Sequence, residues 1–327
     1  MTLAALKGAR RALLIGMGGG GDVVGALSLT PLVERLGAEW VLGGVAWERT
    51  PIDPRPGPRS LEEIRGGRPC GTAAVLADAA TTSEDGVEFA ESRMAGHLGR
   101  PVLLLDITGG PRAVAHGLSE AAAELGCDVV VMLDVGGDVL AHGDEPGLAS
   151  PLCDAIMLSA AASLADPGTS GQGGEQWRGP VVAAVYGPGC DGELSPDEVL
   201  ERIEGLSAAG ALLGAWGLEP SACELVEAAA QVVPTEASLQ AVRCARGDRG
   251  EVAIRGGRRT VRLTPLGALT FFFDPVETVA SAAPLAAAVG PATSLEDADR
   301  ALESLGVGTE LELERARSRE IDAGVHE

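Results

Sequence analysis

The chain carries little positive charge, and lysine is almost absent from it. Its 327 residues include 25 Lys and Arg against 47 Asp and Glu, which gives a formal net charge of −22 at pH 7, and Lys7 is the single lysine. Binding to nucleic acid or to an anionic membrane surface is driven largely by clustered basic residues. We therefore expect neither nucleic acid nor a membrane among its partners.

Long apolar runs and paired cysteine motifs are missing as well. No run reaches the roughly 18 apolar residues of a membrane-spanning helix, and the N-terminus lacks the pattern of a signal peptide. The six cysteines show no CxxC spacing, and a chain of this length does not need disulfide bonds for stability. These absences predict a soluble, cytoplasmic protein with reduced thiols.

Aromatic residues are scarce, at 3%, although 46% of the chain is hydrophobic and its mean hydropathy is +0.17. Leu, Val and Ala must therefore fill the core. Short apolar runs alternate with Gly-rich or acidic turns and with segments of helical period, which is typical of βα units around a parallel sheet. We predict an α/β fold of the Rossmann-like, doubly wound kind, with a mostly parallel sheet and helices on both faces. The predicted strands are residues 12–16, 40–47, 73–77, 101–107, 128–134 and 180–186, and the predicted helices are 26–36, 87–98, 113–125 and 196–204.

Beyond about residue 206 the sequence changes to Ala-rich helical segments followed by β-like runs. We take this position as a domain boundary. Residues 1–205 are predicted to form the Rossmann-like core, and residues 206–327 a smaller helical and β-hairpin extension that packs on the same core. Gly256 and Gly257 mark the hairpin, because glycine tolerates the positive φ angles of such turns. The extension is predicted to contain helices at 222–233, 236–245, 276–288 and 295–305, strands at 251–255, 259–263 and 270–273, and a charged tail.

A glycine-rich loop follows the first predicted strand. Gly16, Gly18 and Gly21 fall in the GxGxxG register before a helix, where backbone amides can hold an anionic group. Glu48 closes the second strand, near the place of a ribose-binding acid in a dinucleotide fold. Asp22 would repel an unscreened pyrophosphate, but it suits a helix N-cap, a metal or a sugar hydroxyl. The loop is therefore compatible with a plain tight turn, a phosphate loop or an NAD(P) site. Its candidate binding residues are Gly18, Gly19, Gly20, Gly21, Asp22 and Glu48.

The fourth and fifth predicted strands both end in an acid followed by paired glycines. In open α/β sheets, ligands bind at this edge, so the residues after these acids are candidate substrate contacts. Carboxylates are concentrated after the fifth strand, and they raise one another's pKa unless a cation, a proton or hydrogen bonds compensate. We interpret this acidic run either as an Mg²⁺ or Mn²⁺ site or as loop acids that simply face water. The candidate contacts are Thr108, Gly109, Gly136 and Gly137, and the acidic run contains Asp134, Asp138, His142, Asp144 and Glu145.

The loop after the sixth strand and the hairpin add further charged candidates. Asp191 and Glu193 either join the acidic site or simply form a turn before the helix that begins at Pro196. In so acidic a chain, the arginines of the hairpin region could hold an anionic substrate, pair with acids of a neighbouring subunit, or simply keep an exposed hairpin soluble. These arginines are Arg243, Arg246, Arg249, Arg255, Arg258, Arg259 and Arg262.

Several of these segments together resemble the domain-of-unknown-function 1152 family. The resemblance rests on five runs, which are residues 18–25, 43–49, 51–59, 134–138 and 147–152, and it covers most of the chain. It implies a single full-length fold in which the Gly-rich and acidic loops form one site. It assigns no chemistry to that site.

The residues taken together favour a small-molecule enzyme, a hydrolase or lyase assisted by a divalent metal and acting on a phosphorylated or nucleoside-like substrate. Asp22, Asp134 and Asp138 are the predicted metal ligands, and His142, Asp138 and Glu145 are the predicted catalytic residues. Metal-activated water needs carboxylates, and no covalent nucleophile is evident. An NAD(P)-dependent oxidoreductase and a non-catalytic nucleotide or metabolite sensor are the alternatives, and a homo-oligomer is left open.

Overall fold

The computed structural model of the protein describes residues 6–166 and 177–322, so the outermost ends of both predicted domains lie outside the described residues. The strands are β1 (Arg11–Gly16), β2 (Glu39–Val45), β3 (Ile64–Arg65), β4 (Arg68–Pro69), β5 (Ala74–Ala77), β6 (Thr82–Ser83), β7 (Val102–Leu105), β8 (Val129–Val135), β9 (Val181–Tyr186), β10 (Leu212–Gly217), β11 (Gly250–Ile254), β12 (Arg259–Leu263) and β13 (Leu269–Phe273). The helices are α1 (Asp22–Leu27), α2 (Thr30–Arg35), α3 (Ala90–Leu98), α4 (Gly110–Glu124), α5 (Pro151–Ala165), α6 (Pro196–Ala208), α7 (Pro220–Ala229), α8 (Glu236–Ala245), α9 (Pro275–Ser281), α10 (Pro284–Val289), α11 (Leu295–Glu303) and α12 (Glu310–Asp322).

A nine-stranded mixed sheet forms the centre of the fold, in the order β10-β13-β9-β8-β1-β2-β7-β5-β4. The five strands from β9 to β7 in this order are mutually parallel. They are short runs of Val, Leu, Ile and Ala with few polar residues, as expected of strands that are covered on both faces. The predicted α/β class with a mostly parallel sheet is confirmed.

The two edges of the sheet are antiparallel, which the sequence did not indicate for residues 73–77. We expected residues 73–77 to continue the parallel series, but β5 runs antiparallel to β7. The chain reverses between β4 and β5, which pair as a hairpin, so β5 returns along the edge of the sheet in the opposite direction. At the other edge, β13 lies between β9 and β10 and is antiparallel to both. The segment after residue 206 thus adds strands to the central sheet itself, and the boundary proposed there stays a prediction.

Helices cover both faces of the sheet, as the doubly wound prediction requires. Alternate residues of β1 enter two different apolar clusters, because successive side chains of a strand point to opposite faces. Ala12 and Leu14 pack with α1, α2, α3, α7 and α8. Leu13 and Ile15 pack with α4, α5, α6, α10 and α11. Each described helix is too short to cross a membrane.

The topology defines a switch point between β1 and β8. The chain proceeds from β1 to β2 and β7 on one side, and from β8 to β9 on the other. The helix after β1 packs on one face of the sheet, whereas α5, which follows β8, packs on the opposite face. The two loops therefore diverge at the carboxyl ends of neighbouring strands, which is where open α/β sheets bind ligands.

Candidate functional site

A cavity of about 670 Å³ lies at this switch point. Its wall is built by the loops that follow β1, β2, β8 and β9, by the first turns of α5 and α8, by the β11–β12 hairpin and by α12. Small-molecule sites usually occupy roughly 300–1,000 Å³. The cavity is therefore the candidate functional site.

The glycine-rich loop forms part of the wall, but it faces a carboxylate of its own chain. The amide of Gly18 donates to Oδ2 of Asp22 at 2.9 Å. A Cβ on Gly18 would come within 2.7 Å of that oxygen, and a Cβ on Gly19 within 2.8 Å of the carbonyl oxygen of Trp47. The glycines thus permit close packing around Asp22. Since one loop amide is already occupied by a carboxylate, the loop is better suited to present an acid than to bind a phosphate.

Three carboxylates, which we call the first acid group, meet beside this loop. Asp22 begins α1, Asp134 is the next-to-last residue of β8, and Asp154 lies in the first turn of α5. One oxygen of each lies within 4.8 Å of an oxygen of the other two. Oδ2 of Asp134 accepts the amide of Gly137 at 2.8 Å. Within the described residues, Oδ1 of Asp154 is buried without a hydrogen-bond partner, and the residue as a whole is only 2% exposed.

Burial makes ionisation of this group costly. It raises the pKa of Asp134 and of Asp154 well above the ordinary value, and the neighbouring carboxylates raise both further. Burial also raises the pKa of Asp22 to about 7, although amide hydrogen bonds from Gly18 and Val135 oppose the rise. A buried carboxylate cluster is stable only when protons or cations compensate its charge.

A second acid group consists of Asp138, Asp191 and Glu193. Asp138 lies in the turn after β8, and the other two lie in the loop after β9. These three also have oxygens that lie within 4.8 Å of one another. Oδ1 of Asp191 is buried and has no hydrogen-bond partner in the described part of the chain, and Asp191 is 5% exposed. Burial and then the charge of Glu193 raise the pKa of Asp191 to about 8.

Glu193 differs from the other two because its charge is compensated. Its carboxylate accepts the amides of Ala149 and Ser150 at 2.7 and 2.9 Å, and it also accepts the Ser150 hydroxyl. Nη2 of Arg259 lies 2.9 Å from its Oε1. Burial opposes ionisation, but Arg259 and these hydrogen bonds outweigh it and lower the pKa of Glu193. Glu193 is thus the member of the second group whose ionised form is stabilised by its neighbours.

The structure regroups the predicted metal ligands. Asp22 and Asp134 lie together as expected, but the third oxygen beside them belongs to Asp154, and Asp138 lies in the second group. The sequence analysis did not select Asp154. A signal was present, because Asp154 is the single charged residue within the apolar segment of α5, and a lone acid on a buried helix marks a functional position.

His142 and Glu145 do not line the cavity. The side chain of His142 is exposed, and its Nε2 lies 3.2 Å from the carbonyl oxygen of Ala282. Glu145 accepts the amides of His142 and Gly143, each at 2.8 Å, and forms an ion pair with Arg202 at 2.9 Å. These contacts hold the loop in shape. The predicted proton-transfer role therefore finds no geometric support for either residue, and only Asp138 of the predicted catalytic set lies in the cavity wall.

Four further predicted substrate contacts are not part of the cavity wall, namely Thr108, Gly109, Gly136 and Gly137. The hydroxyl of Thr108 donates to Asp106 at 2.6 Å, and Gly109 directly precedes α4. Gly136 and Gly137 have φ angles of +121° and +117°. A Cβ on Gly136 would collide with the carboxylate of Asp191. These two glycines therefore shape the loop that places the acids, whereas Thr108 and Gly109 lie outside the described cavity lining.

Glu48 does line the cavity, as predicted for a substrate contact. Its Oε1 accepts the amide of Ala90 at 2.6 Å, at the start of α3, and the residue is 3% exposed. Burial raises its pKa, and the amide of Ala90 opposes the rise. Glu48 thus faces the cavity while it anchors α3.

The arginines of the hairpin region form two sets, one that lines the cavity and one that does not. Arg255, Arg258 and Arg259 line the cavity, together with Arg317 of α12. Among the described residues, the guanidinium groups of Arg255, Arg258 and Arg317 have no carboxylate partner, although the backbone amide of Arg255 donates to Oε2 of Glu236 at 2.7 Å. Arg255 has an unusual φ of +53° for a residue with a side chain. Such a conformation costs of order 1–3 kcal/mol and is most often kept at functional sites. The remaining arginines are engaged elsewhere; for example, Arg262 forms an ion pair with Asp197.

The charged tail predicted from the sequence is a helix that closes the cavity. Glu310 of α12 accepts the amides of Leu152 and Cys153 at 2.9 Å each, so it caps the start of α5. Glu310 and Glu314 also flank Arg49, at 3.3 and 3.7 Å. Arg49 in turn donates to the carbonyl oxygen of Gly18 at 2.8 Å and stacks on the Trp47 ring. The sequence analysis missed this network, because it joins residues more than 250 positions apart.

Comparison with known proteins places the whole of this site within one family. No curated protein matches the chain. The model of the family described as "Protein of unknown function (DUF1152)" matches residues 13–318, a span that includes both acid groups, the hairpin and the cavity-lining part of α12. The resemblance noted in the sequence is confirmed, and the chain belongs to this family.

Proposed function

We propose that the protein is a hydrolase or lyase that uses a divalent cation, Mg²⁺ or Mn²⁺, to act on a phosphorylated or nucleoside-like small molecule. In this proposal the cation is held by the first acid group, Asp22, Asp134 and Asp154. The observation that carries it is the buried, unpartnered Oδ1 of Asp154 in the cavity wall. A buried polar atom without a partner is costly, and a cation bound by the three carboxylates would compensate it.

The donor set fits the chemistry of these ions. Carboxylate oxygens are the ligands that Mg²⁺ and Mn²⁺ prefer. A cation in such a site lowers the pKa of a bound water or polarises a phosphoryl or carbonyl oxygen. Either effect supports hydrolysis or elimination without a covalent nucleophile.

The arginines of the rim support an anionic substrate. Arg255, Arg258 and Arg317 line the same cavity, and their guanidinium groups have no carboxylate partners within the described part of the chain. Guanidinium groups bind phosphate through two parallel hydrogen bonds. A molecule with a phosphate at the rim and a reacting group at the cation would use both features. In this arrangement the arginines hold the anionic group, instead of the glycine-rich loop that the sequence suggested.

An NAD(P)-dependent oxidoreductase is the second candidate, favoured by the position of Glu48 in the cavity wall beside the GxGxxG loop. The carboxylate of Asp22 counts against it, because it already accepts the amide of Gly18, where a pyrophosphate would bind. A non-catalytic sensor would use the same cavity without turnover.

Calorimetric titration with Mn²⁺ tests the cation site. We expect saturable binding to the wild-type chain and at least tenfold weaker binding to Asp154→Asn. Asp197→Asn is the matched control, because Asp197 is an exposed acid that pairs with Arg262 outside the cavity. Equal Mn²⁺ affinity of the wild-type chain and Asp154→Asn would refute the assigned ligand set.

A panel of phosphorylated compounds and nucleosides then tests the reaction. Metal-dependent turnover would establish the enzyme, and tight binding without turnover would point to the sensor. Saturable NADH binding without metal would promote the oxidoreductase. For an active phosphorylated compound, Arg255→Gln with Arg258→Gln should weaken binding by tenfold or more, whereas Arg262→Gln should not.

A further inference from the structure

We infer that the second acid group, Asp138, Asp191 and Glu193, is a second divalent-cation site beside the first, so that the cavity holds a two-cation centre. This inference rests on the proposed function, and it adds a site that the first acid group alone does not require. The oxygens of the three residues lie within 4.8 Å of one another in the cavity wall. From the sequence, Asp191 and Glu193 were candidate substrate contacts that either join the acidic site or simply form a turn.

The unpartnered oxygen of Asp191 is the observation that distinguishes this group from an ordinary acidic loop. Oδ2 of Asp191 accepts the amide of Glu193 at 3.1 Å, but Oδ1 is buried and accepts no hydrogen bond from residues 6–166 or 177–322. The carboxylate packs against Gly136, where any Cβ would displace it. The chain therefore holds a carboxylate in a fixed place with one oxygen free. A loop acid that served only to form a turn would have both oxygens bonded or in solvent.

The charge of the two groups also calls for more than one divalent ion. Six carboxylates line this part of the cavity, and Arg259 compensates one of them, Glu193. Arg49, another half-buried arginine of the wall, is already flanked by Glu310 and Glu314. When all six acids are ionised and Arg259 is paired with Glu193, a single divalent cation leaves three negative charges without a directly paired counter-charge, and a second reduces that number to one. Uncompensated buried charge is strongly unfavourable.

The two acid groups are neighbours in the cavity wall. Asp134 of the first group and Asp138 of the second are four residues apart, and both line the cavity. Both oxygens of Glu193 already accept hydrogen bonds. We therefore assign Asp138 and Asp191 as the direct ligands of the second ion, with Glu193 supplying fixed negative charge behind them.

A second cation has a clear use in hydrolysis of a phosphate ester. One ion carries the hydroxide formed from water, whose oxygen bonds to phosphorus while the bond from phosphorus to the ester oxygen breaks. The other ion stabilises the departing oxygen, which takes up the proton that the water released. The products are an alcohol and phosphate, so the atoms balance without a further reactant.

Counting bound Mn²⁺ on the full chain tests the inference. Equilibrium dialysis with metal analysis should give two Mn²⁺ per wild-type chain, and one for Asp191→Asn and for Asp138→Asn. Asp197→Asn, the exposed control, should keep two. Electron paramagnetic resonance of the saturated wild-type chain should show the broadened signal of an exchange-coupled Mn²⁺ pair, and Asp191→Asn should show an isolated ion instead.

The outcomes separate this inference from the proposed function. One Mn²⁺ per wild-type chain, with no loss in Asp191→Asn or Asp138→Asn, would overturn the second site and leave the first intact. No bound Mn²⁺ would overturn both. Circular dichroism spectra that match the wild type establish that a variant is folded, and the use of two ligand variants ensures that misfolding of one does not decide the result.

Discussion

Replacing Asp154 with Asn should stabilise the cation-free protein while it removes the response to cations. None of the residues that the structure describes donates a hydrogen bond to Oδ1 of Asp154, and two other carboxylates lie within 4.8 Å. At that distance each pair of ionised carboxylates repels by about 3.5 kcal/mol with an effective dielectric constant near 20. The folded chain avoids this cost only by taking up protons. Asparagine has the same shape, carries no charge and can donate to the remaining acids.

We expect Asp154→Asn to raise the free energy of unfolding by about 1–3 kcal/mol in the presence of a chelator, because active-site acids usually reduce stability. With an unfolding entropy of about 2.1 cal/mol/K per residue, each kcal/mol corresponds to roughly 1.5 °C in a chain of this length. The melting temperature should therefore rise by about 1.5–4.5 °C. A cation at about 100 times its Kd should stabilise the wild type by about 2.7 kcal/mol, or about 4 °C, and the variant hardly at all.

Differential scanning calorimetry at neutral pH, with EDTA or with MnCl₂, measures both effects. Asp299→Asn is the matched control, because Asp299 is equally buried but accepts the hydroxyl of Thr309 and pairs with Arg315 at 3.2 Å. That variant should lose stability in both buffers. If Asp154→Asn also melted below the wild type in EDTA, the carboxylate would be a structural partner and the reasoning from its free oxygen would be wrong.

Three further substitutions test other parts of the site. Gly136→Ala should cost about 1–3 kcal/mol, because φ is +121° and its Cβ would collide with the carboxylate of Asp191; urea unfolding measures the loss, and Mn²⁺ dialysis should show weakened binding of the second ion. Hydrogen bonds and Arg202 lower the pKa of Glu145 against the effect of burial. The ionised carboxylate therefore stabilises the fold above the unfolded pKa of about 4.3, and this stabilisation disappears as the pH falls through the folded pKa. The wild type should thus exceed Glu145→Gln by about 1–2 kcal/mol at pH 7, with the difference vanishing towards pH 3 in urea titrations. Glu310→Gln should lower the free energy of unfolding by about 1–2 kcal/mol, because it weakens the cap on α5; an unchanged melting temperature would contradict that role.

The sequence was informative wherever a strand ended in a loop. β1, β8 and β9 are apolar runs followed by glycine and acids, so the position of the site at their carboxyl ends could be predicted. Asp22, Asp134, Asp138, Asp191 and Glu193 were all selected in this way, and all line the cavity. Local sequence order was enough for them, because each lies at or within a few residues of the end of its strand.

Site residues that tertiary packing brings together could not be predicted in the same way. α5 is apolar on all sides, so it has no helical period to detect, and Asp154 was lost with it. The opposite problem hid Glu310 and Glu314, since a charged tail suggests solvent although these acids are buried against Arg49. His142 was selected because it follows Asp138 closely in the sequence, but the intervening turn carries it to the surface.

The closure of the cavity by α12 has a consequence for biosynthesis. Residues from Gly18 to Arg317 contribute to the wall, so a ribosome must release the chain through α12 before the pocket is complete. A prematurely terminated product that stops before Glu310 lacks the cap of α5 and the partner of Arg49. Binding at the cavity therefore distinguishes chains that contain α12 from shorter fragments, and such a fragment cannot compete for the ligand on equal terms.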